Sequence, residues 1–304
     1  MSKEVKYTEI FNSVQGEGSR TGKLCSWVRF FSCNLQCDGF GQKDPTDRSS
    51  YVLPYQTINI DNITKIQDLP LFTTGCDTSH SWSAKYKHLA MSKPAEQVAA
   101  DVRALLVGNS FTHPVSGQKI EHVFTGGEPM MQQQAMVDIV NTWIDEGDYP
   151  QVITIETNGT RKLTEEFINA VVRWRDHHGI EIVFSVSQKL FNVAGEERKK
   201  AFKPEVIAEY YNLSEVTNTD ELAQLKYVLN DTEAAWDELL ENVKILREQH
   251  NITWDVWIMP VGASYGDQVD SNVLGKIADR AIANGFHVSG RMHVVLWGND
   301  QHGR

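Results

Sequence analysis

Short apolar runs alternate along most of this chain with stretches in which apolar residues recur every three or four positions. Such short runs are typical of buried strands, and the periodic stretches are typical of amphipathic helices. The pattern predicts strands at residues 5–12, 24–31, 122–124, 152–155, 182–186, 224–229, 255–259 and 292–297, and helices at residues 94–106, 131–145, 163–177, 204–211, 232–249 and 269–284. Strands and helices that alternate in this way predict a mostly parallel sheet with right-handed crossovers.

We expect an α/β fold with about six parallel strands, which are too few for a closed barrel of eight. An open, partial β/α barrel is therefore favoured over a flat, doubly wound sheet. Two stretches interrupt the alternation, at residues 38–75 and at about 191–222, and we interpret both as insertions. The first contains a short β-like run at residues 55–60. Residues 1–304 are expected to form a single domain that carries these two insertions.

The charge and the apolar content of the chain argue against two classes of partner. The net charge is −11 at pH 7, whereas a protein that binds nucleic acid through backbone phosphates needs a basic face. No apolar run approaches the roughly 20 residues that span a bilayer, and residues 1–7 do not resemble a signal peptide. We therefore expect no direct nucleic-acid partner, no membrane association and a cytoplasmic location.

The four cysteines provide the main chemical signal. Cys33 and Cys37 follow the apolar run 27–31, and Cys76 lies far downstream of them. In a reducing compartment clustered thiols favour a metal or redox role over disulfides, and thiolates are the usual ligands of iron–sulfur clusters. We predict that Cys33, Cys37 and Cys76 hold one such cluster and leave its fourth iron position to a small-molecule ligand. Cys25 lies in a strand-like run and is interpreted as a small buried apolar residue.

Polar and glycine-rich motifs follow the ends of several predicted strands. They occupy residues 15–18, 125–129, 156–160 and 187–189. Because ligands bind at the carboxyl ends of parallel strands, which meet at one edge of a sheet, we expect these motifs to form one site. Glycines there permit a close approach of the backbone to a ligand, and Glu128 can meet an ammonium group.

Several of these residues also have a plain structural interpretation. Glycine pairs and Asn-Gly sequences are typical of ordinary turns. Thr78 can offer its hydroxyl to Mg²⁺, or it can cap a helix together with Asp77. Arg29 needs a partner if it points inward, and Lys189 faces either an anion or solvent. His293, on the last predicted strand, either is a core residue or reaches the cavity.

Taken together, the motifs resemble those of the radical S-adenosylmethionine enzymes and, among them, of the 7-carboxy-7-deazaguanine synthases. The matching segments are residues 15–18, Arg29 ahead of the cysteines, residues 76–78, 125–129, 156–160, 187–189 and 293–298. The resemblance runs from about residue 8 to the C-terminus and is interrupted by the two insertions. It implies a TIM-like partial barrel of the radical S-adenosylmethionine type.

The resemblance also implies cofactors and a reaction. A [4Fe–4S] cluster on three thiolates would bind S-adenosylmethionine at its open iron, and one electron would yield a 5′-deoxyadenosyl radical; Mg²⁺ is a further cofactor. The radical would take a hydrogen from the pterin substrate, 6-carboxy-5,6,7,8-tetrahydropterin. The ring would then contract, ammonia would leave and 7-carboxy-7-deazaguanine would form. The protein would be a carbon–nitrogen lyase of queuosine and deazapurine biosynthesis, a homodimer that receives electrons from a reductase such as flavodoxin.

By the same resemblance, the residues of the matched motifs take roles in binding. Thr78 is expected to contact Mg²⁺. The residues expected at S-adenosylmethionine are Asp77, Gly126, Gly127, Glu128, Ser187, Gln188 and Lys189. The residues expected at the pterin are Val14, Gln15, Gly16, Glu17, Arg29, Thr125 and His293. No catalytic side chain is assigned, because the cofactor carries the chemistry.

Three features depart from the pattern of the family. The family places its three cysteines in one short loop, whereas the first insertion separates Cys37 from Cys76 here, and Phe40 occupies the place of the usual third thiol. Either Cys76 folds back to complete the set, which the Asp-Thr pair after it favours, or the cluster is lost. Such an insertion would mark a phage-type variant. Gln188 stands where proline is usual, and the chain ends at Arg304, where the terminal carboxylate of a relative would meet the substrate.

Two other functions fit parts of the pattern. Another radical S-adenosylmethionine enzyme, such as an activase that installs a glycyl radical, would share the cluster motifs and give no ring-contracted product. A non-enzymatic module that binds metal through three cysteines and a histidine would need only the ligands. Structural zinc sites seldom come with glycine-rich motifs at several strand ends, which argues against this module.

Overall fold

The computed structural model describes residues 4–299 and His302. Its strands are β1 (Val5–Val14), β2 (Leu24–Phe30), β3 (Met91–Lys93), β4 (Glu121–Gly126), β5 (Val152–Thr157), β6 (Glu181–Gln188), β7 (Gln224–Leu229), β8 (Asp255–Pro260) and β9 (His287–Val288). Within these residues the strands form one sheet in the order β3-β1-β2-β4-β5-β6-β7-β8-β9. Neighbouring strands from β2 to β9 are parallel, whereas β1 is antiparallel to both β2 and β3. The sheet is open and rich in parallel pairs, which confirms the predicted partial barrel.

Helices follow most of the strands. They are α1 (Pro54–Thr57), α2 (Ala95–Ala104), α3 (Gln133–Asp145), α4 (Glu165–His178), α5 (Phe191–Ala194), α6 (Arg198–Ala201), α7 (Pro204–Val216), α8 (Glu233–His250), α9 (Tyr265–Val269), α10 (Ser271–Ala283) and α11 (Met292–Trp297). The buried faces of α2, α3, α4, α7, α8 and α10 pack with the strands in the main apolar core. Of the helices in the described part of the chain, none has both the length and the apolar content needed to cross a bilayer.

Local signals in the sequence set the ends of several helices. The hydroxyl of Thr164 accepts a hydrogen bond from the Phe167 N–H at 3.2 Å and so caps the start of α4. Gly179 ends the same helix with a φ of 67°, a left-handed conformation that glycine adopts readily. Pro204 begins α7, where its missing N–H costs no helical hydrogen bond.

Two predicted β segments are wrong. Residues 292–297 form α11, and the last strand of the sheet, which pairs with β8, is instead the two-residue β9. The β-like run at 55–60 instead contains most of α1, which begins at Pro54. Apolar runs of this length are too short to distinguish a period of two from a period of 3.6, so sequence alone does not separate helix from strand there.

The insertion at residues 38–75 has a small apolar core of its own. Buried residues of this core, including two from just beyond the insertion, are Tyr55, Ile66, Leu69, Phe72, Tyr86 and Leu89. The insertion closes on itself, because the Gly75 N–H donates to the Phe40 carbonyl oxygen at 2.8 Å. The chain therefore returns, after this excursion, to the point where it left the barrel.

The second interruption, at about 191–222, is mostly helical. It contains α5, α6 and α7, and α7 extends five residues beyond the predicted end at residue 211. Because α7 contributes to the main core, this stretch is an integral part of the barrel wall rather than a separate irregular excursion.

Candidate active site

The carboxyl ends of six neighbouring strands line one cavity of about 260 Å³. The residues that reach it from these strands are Trp27 and Arg29 on β2, Thr125 and Gly126 on β4, Glu156 and Thr157 on β5, Ser187 on β6, Lys226 and Val228 on β7, and Met259 and Pro260 on β8. Ligands of parallel α/β folds bind at this edge of the sheet. The motifs that follow the parallel strands therefore meet, as their positions in the sequence predicted.

The motif at 15–18 reaches the cavity from the opposite end. Because β1 is antiparallel to β2, its last residue, Val14, pairs with Leu24 at the amino end of β2. The loop after Val14 then runs past the amino ends of the strands, where the Ser19 N–H donates to the Gln224 side chain at the start of β7. The expectation that this motif shares the carboxyl edge is therefore wrong, although its residues still line the same cavity.

The three predicted cluster ligands, Cys33, Cys37 and Cys76, all line this cavity. Cys33 and Cys76 also pack against the small apolar cluster that contains Cys37, and Phe40 packs there as well. The closure of the insertion between Phe40 and Gly75 is the physical reason, since Cys76 is the next residue along the chain. The structure thus supports the alternative in which Cys76 folds back toward its two partners.

The environment of the thiols fits ligands of a cluster. Burial raises the pKa of Cys33 to about 12, and it raises the pKa values of Cys37 and Cys76 as well. Free thiols there are protonated at neutral pH, so binding of a metal must release their protons. The Leu35 N–H lies 3.5 Å from the Cys33 sulfur, and the Thr78 hydroxyl lies 3.5 Å from the Cys76 sulfur. Hydrogen bonds to sulfur of this kind tune the potential of iron–sulfur clusters.

The three thiols do not form a compact group of metal ligands in the part of the chain that the structure describes. Among the described residues, no three His, Cys, Asp or Glu side chains are grouped closely enough to hold a single ion. The three thiols nevertheless line the same cavity, and thiolates are the usual ligands of iron–sulfur clusters.

The glycines after β4 let the cysteine loop approach this strand closely. A Cβ atom on Gly127 would overlap the carbonyl oxygen of Ser32 and lie 2.9 Å from the Cβ of Cys33. Hydrogen bonds hold the same contact, from Gly127 N–H to Phe30 O at 3.2 Å and from Glu128 N–H to Ser32 O at 2.8 Å. Residue 127 must therefore be glycine, because it lies against the backbone of Ser32, the residue directly before Cys33.

Gly127→Ala is expected to lower the free energy of unfolding by about 1–3 kcal/mol, the range typical of overpacking, and to lower iron content by displacing Cys33. Urea unfolding and iron analysis measure the two effects. Gly275 in α10 is a matched control, because a Cβ there meets no atom within 4 Å. Gly275→Ala should be neutral or stabilising by up to about 1 kcal/mol. Equal effects of the two substitutions would contradict this account of Gly127.

A network of ion pairs centred on Lys226 occupies one side of the cavity. The Lys226 ammonium donates to Glu17 at 2.7 Å and to Glu156 at 2.6 Å. Arg291 extends the network, with contacts to Glu17 at 3.2 Å and to Asp77 at 2.8 Å. The Lys226 side chain is only 4 % exposed, so its charge depends on these carboxylates.

The pKa values of the network follow from this pairing. Burial tends to raise the pKa of Glu17, but Lys226 and Arg291 together hold that pKa well below its ordinary value. Burial tends to lower the pKa of Lys226, but Glu156 and Glu17 raise it above its ordinary value. Glu17 and Lys226 are therefore charged at neutral pH, and they present fixed polar atoms to the cavity.

Arg29 and Lys189 are further cations at the cavity. Arg29 donates to Glu9 at 2.8 Å, which provides the partner that an arginine within an apolar strand requires. Lys189 donates to the Ser187 hydroxyl at 2.8 Å and lies over the ring of Phe40. Lys189 forms no ion pair with any residue that the structure describes. It is therefore available for a carboxylate on a bound ligand.

Most of the predicted site residues line this one cavity. They are Val14, Gln15, Gly16, Glu17, Arg29, Cys33, Cys37, Cys76, Asp77, Thr78, Thr125, Gly126, Gly127, Ser187, Lys189 and His293. His293 reaches the cavity from α11 rather than from a strand, and its ring packs so closely on Gly16 that a Cβ atom there would overlap it. Asp77 is paired with Arg291 and does not cap a helix. Arg304 lies outside the described residues.

The side chains of two predicted cofactor residues do not reach the cavity. Glu128 is fully buried, and its carboxylate accepts hydrogen bonds from Met130 N–H, Thr157 hydroxyl and Asn158 N–H at 2.7–3.0 Å. It therefore ties the ends of β4 and β5 together and is not presented to an ammonium group. Gln188 is buried as well, and its side-chain oxygen accepts a hydrogen bond from the Tyr227 hydroxyl at 2.7 Å.

Sequence reasoning missed Lys226, Arg291 and the carboxylate of Glu156 as parts of the site. A lysine inside the apolar strand β7 is the same signal that singled out Arg29, so Lys226 could have been found. Glu156 lies in the motif at 156–160, whose Asn-Gly sequence is typical of an ordinary turn. Arg291 carries no local signal, because its partners Glu17 and Asp77 are distant in the sequence.

Comparisons with known proteins agree on one family, although no family model matches the chain. A 7-carboxy-7-deazaguanine synthase from Pyrobaculum aerophilum is 24% identical over 297 residues, which are 97% of this chain and 96% of that protein. One from Halobacterium salinarum is 25% identical over 301 residues, which are 95% of this chain and 89% of that protein. One from Nitratidesulfovibrio vulgaris is 30% identical over 161 residues, which are 52% of this chain and 56% of that protein.

A solved structure supports the fold independently of these sequences. The crystal structure of QueE from Escherichia coli superposes with a TM-score of 0.51 at 17% identity, and the match covers 95% of each chain. Identity this low is evidence for the fold alone, and that fold agrees with the open parallel sheet seen here. Curated relatives that match over nearly their whole length carry the same name as those matched in part. The chain is therefore similar over nearly its whole length to curated 7-carboxy-7-deazaguanine synthases, which agrees with the resemblance of its motifs.

Proposed function

We propose that this protein is a 7-carboxy-7-deazaguanine synthase, a radical S-adenosylmethionine lyase that converts 6-carboxy-5,6,7,8-tetrahydropterin to 7-carboxy-7-deazaguanine with loss of ammonia. The observation that carries the proposal is the return of Cys76 to the cavity that Cys33 and Cys37 line. A large insertion would otherwise remove the third thiol that such an enzyme needs. The shared name of the curated relatives supports the same reaction.

Cys33, Cys37 and Cys76 would hold a [4Fe–4S] cluster, and S-adenosylmethionine bound there would supply the radical that starts the reaction. Lys189 is suited to bind a ligand carboxylate, because it lacks a carboxylate partner in the described chain. Gly126 and Gly127 also line the cavity, where their backbone groups can meet a ligand. The Thr78 hydroxyl lines the cavity beside Cys76 and offers an oxygen ligand of the kind that Mg²⁺ prefers.

The part of the cavity that Arg29, Glu17 and Glu156 line is suited to hold the pterin. Arg29 is oriented by Glu9, and Glu17 and Glu156 are oriented by Lys226. Side chains fixed in this way need no reorganisation when a ligand with several donors and acceptors binds, which favours one orientation of that ligand. His293 and Gly16 also line the cavity, and the His293 ring packs closely on Gly16.

The reconstituted protein is expected to form 7-carboxy-7-deazaguanine and ammonia when it is given the tetrahydropterin, S-adenosylmethionine, Mg²⁺ and a reductant without oxygen. Liquid chromatography with mass spectrometry identifies the product. Omission of the pterin is the control, and it should leave only slow release of 5′-deoxyadenosine. Release of 5′-deoxyadenosine with no ring-contracted product would favour another radical enzyme, such as an activase. A colourless protein with stoichiometric zinc would contradict radical chemistry altogether.

Other features belong to the same proposal. A reductase such as flavodoxin would supply the electron, and the chain would act as a single domain within a homodimer. Four cysteines without disulfides are consistent with a reducing location such as the cytoplasm. Light scattering of the purified protein measures the oligomeric state, and omission of Mg²⁺ from the assay measures the dependence on that ion.

A further inference from the structure

Glu196 is a buried acidic residue that lies behind the cysteine loop and outside the cavity. It lies between α5 and α6 and is only 5 % exposed. One of its carboxylate oxygens accepts hydrogen bonds from two consecutive backbone N–H groups, those of Gln36 and Cys37, each at 2.7 Å. Hydrogen bonds between a carboxylate and N–H groups are charge-assisted and stronger than neutral ones.

The loop from Cys33 to Cys37 needs such a support. It contains no helix or strand that would hold its backbone. Cys37 has a φ of 57°, a left-handed conformation that is sterically unfavourable for a residue with a Cβ atom. Cys37 is also buried, so its N–H requires a partner inside the protein. Glu196 satisfies that N–H and stabilises the unfavourable backbone at the same residue.

Glu196 is itself held in place by the insertion at 38–75. The Gly39 N–H donates to the Ala194 carbonyl oxygen at 3.0 Å, and the Arg48 guanidinium donates to the Gly195 carbonyl oxygen at 3.1 Å. The two backbones touch, because a Cβ atom on Gly39 would overlap Gly195. The insertion and the segment from α5 to α6 therefore lock together directly behind the cysteine loop.

We propose that Glu196 is a positioning residue that holds Cys37, and through the loop Cys33, in the geometry that binds the cluster. This inference rests on the proposed function, because it assigns Glu196 a role toward the predicted thiolate ligands. Residues that orient metal ligands affect metal affinity strongly even though they do not touch the metal. The buried charge of Glu196 also lies next to the cluster loop, so it should make the cluster harder to reduce.

The test compares Glu196→Ala and Glu196→Gln with the wild type. Glu197→Ala is the matched control, because Glu197 is the adjacent residue and, among the residues that the structure describes, forms ion pairs only with the exposed Lys199 and Lys200. For each full-length protein, hydrogen–deuterium exchange before reconstitution reports the amides of residues 34–38. Iron retained under a chelator and the midpoint potential of the cluster are then measured after reconstitution.

Glu196→Ala is expected to expose the Gln36 and Cys37 amides to exchange and to lower iron retention about ten-fold or more. Glu196→Gln keeps an oxygen that accepts both N–H groups, so it should restore protection and iron. It should also shift the midpoint potential to a more positive value, since the negative charge is gone. If Glu196 had a merely structural role, Glu196→Gln would restore iron retention and leave the midpoint potential unchanged.

Three outcomes decide against the proposal. If Glu196→Ala behaves like Glu197→Ala in both amide exchange and iron retention, the proposal is overturned. If Glu196→Ala does not fold, the Glu196→Gln variant decides: an unchanged midpoint potential of its cluster overturns the proposal. Unprotected Gln36 and Cys37 amides in the wild type overturn it as well. If the wild type binds no iron, the proposed function fails, while the exchange data still judge the role of Glu196 in holding the loop.

Discussion

Cys76→Ala is expected to abolish release of 5′-deoxyadenosine, with a loss of at least about two orders of magnitude, because changes beyond the ligands already cost up to about 100-fold. Removal of Cys76 leaves two thiolates where the proposed cluster needs three. The measurement is anaerobic release of 5′-deoxyadenosine, together with iron and sulfide content after reconstitution. Both should fall, because the substitution removes the ligand that the folded insertion returns to the cavity.

Cys25→Ala is the matched control for Cys76→Ala. Cys25 is buried on β2 and packs with Phe11, Trp27 and Val123, and it does not line the cavity. Its substitution removes one sulfur from the protein at a cost of about 1 kcal/mol in stability, and it should leave iron content and 5′-deoxyadenosine release intact. Retention of a full cluster by Cys76→Ala would show that the distant thiol is not a ligand, and the proposed function would lose its main support.

Lys226→Met is expected to lower the free energy of unfolding by about 3–5 kcal/mol, the range for removal of one partner from a buried ion pair. The methionine has a similar volume but leaves Glu17 and Glu156 without the cation between them. Substrate binding should weaken too, because these carboxylates line the cavity. Urea unfolding measures the first effect, and the KM for the pterin measures the second.

The pH dependence of the same variant provides a further check. Lys226 lowers the pKa of Glu17, so its stabilising effect is present above the unfolded pKa of a glutamate, about 4.3. That stabilisation is lost as the pH falls through the lower pKa of the folded state. The difference in stability between wild type and Lys226→Met should therefore shrink on acidification below about pH 4.

Lys276→Met is the control for Lys226→Met. Lys276 is 70 % exposed, and its nearest carboxylate, Asp231, lies 4.0 Å away. Its substitution should change the free energy of unfolding by less than about 0.5 kcal/mol, as is usual for surface residues. A similarly small change for Lys226→Met, with an unaltered KM, would contradict the role assigned to the buried network.

Most of the barrel could be predicted from the sequence, because its signals are local. Strand β7 lies at residues 224–229 as predicted, and the ends of α4 follow from Thr164 and Gly179. The exceptions are short apolar runs. Residues 292–297 contain four apolar residues in a row after His293, which fit a strand or a helix equally well, and packing decided for α11.

The site could be predicted only in part. Motifs after parallel strands meet because topology requires it, and the sequence carries that topology. The motif at 15–18 could not be placed correctly, since the direction of β1 depends on its pairing with β2 and β3. The burial of Glu128 was missed for a related reason. Its partners Thr157 and Asn158 lie at the end of the next strand and donate hydrogen bonds to its carboxylate, which the motif at 125–129 alone does not reveal.

The sequence by itself determined the resemblance to one family, most of the alternation of strands and helices, and the choice of Cys33, Cys37 and Cys76 as candidate ligands, because each of these follows from residue types and their spacing. Only the tertiary structure decided that Cys76 returns to Cys33 and Cys37, that Lys226 joins Glu17 to Glu156, and that Glu196 supports the cysteine loop. These contacts join residues far apart in the chain. Their formation depends on the closure of the insertion and on the exclusion of water from buried charges, and neither leaves a pattern in the local sequence.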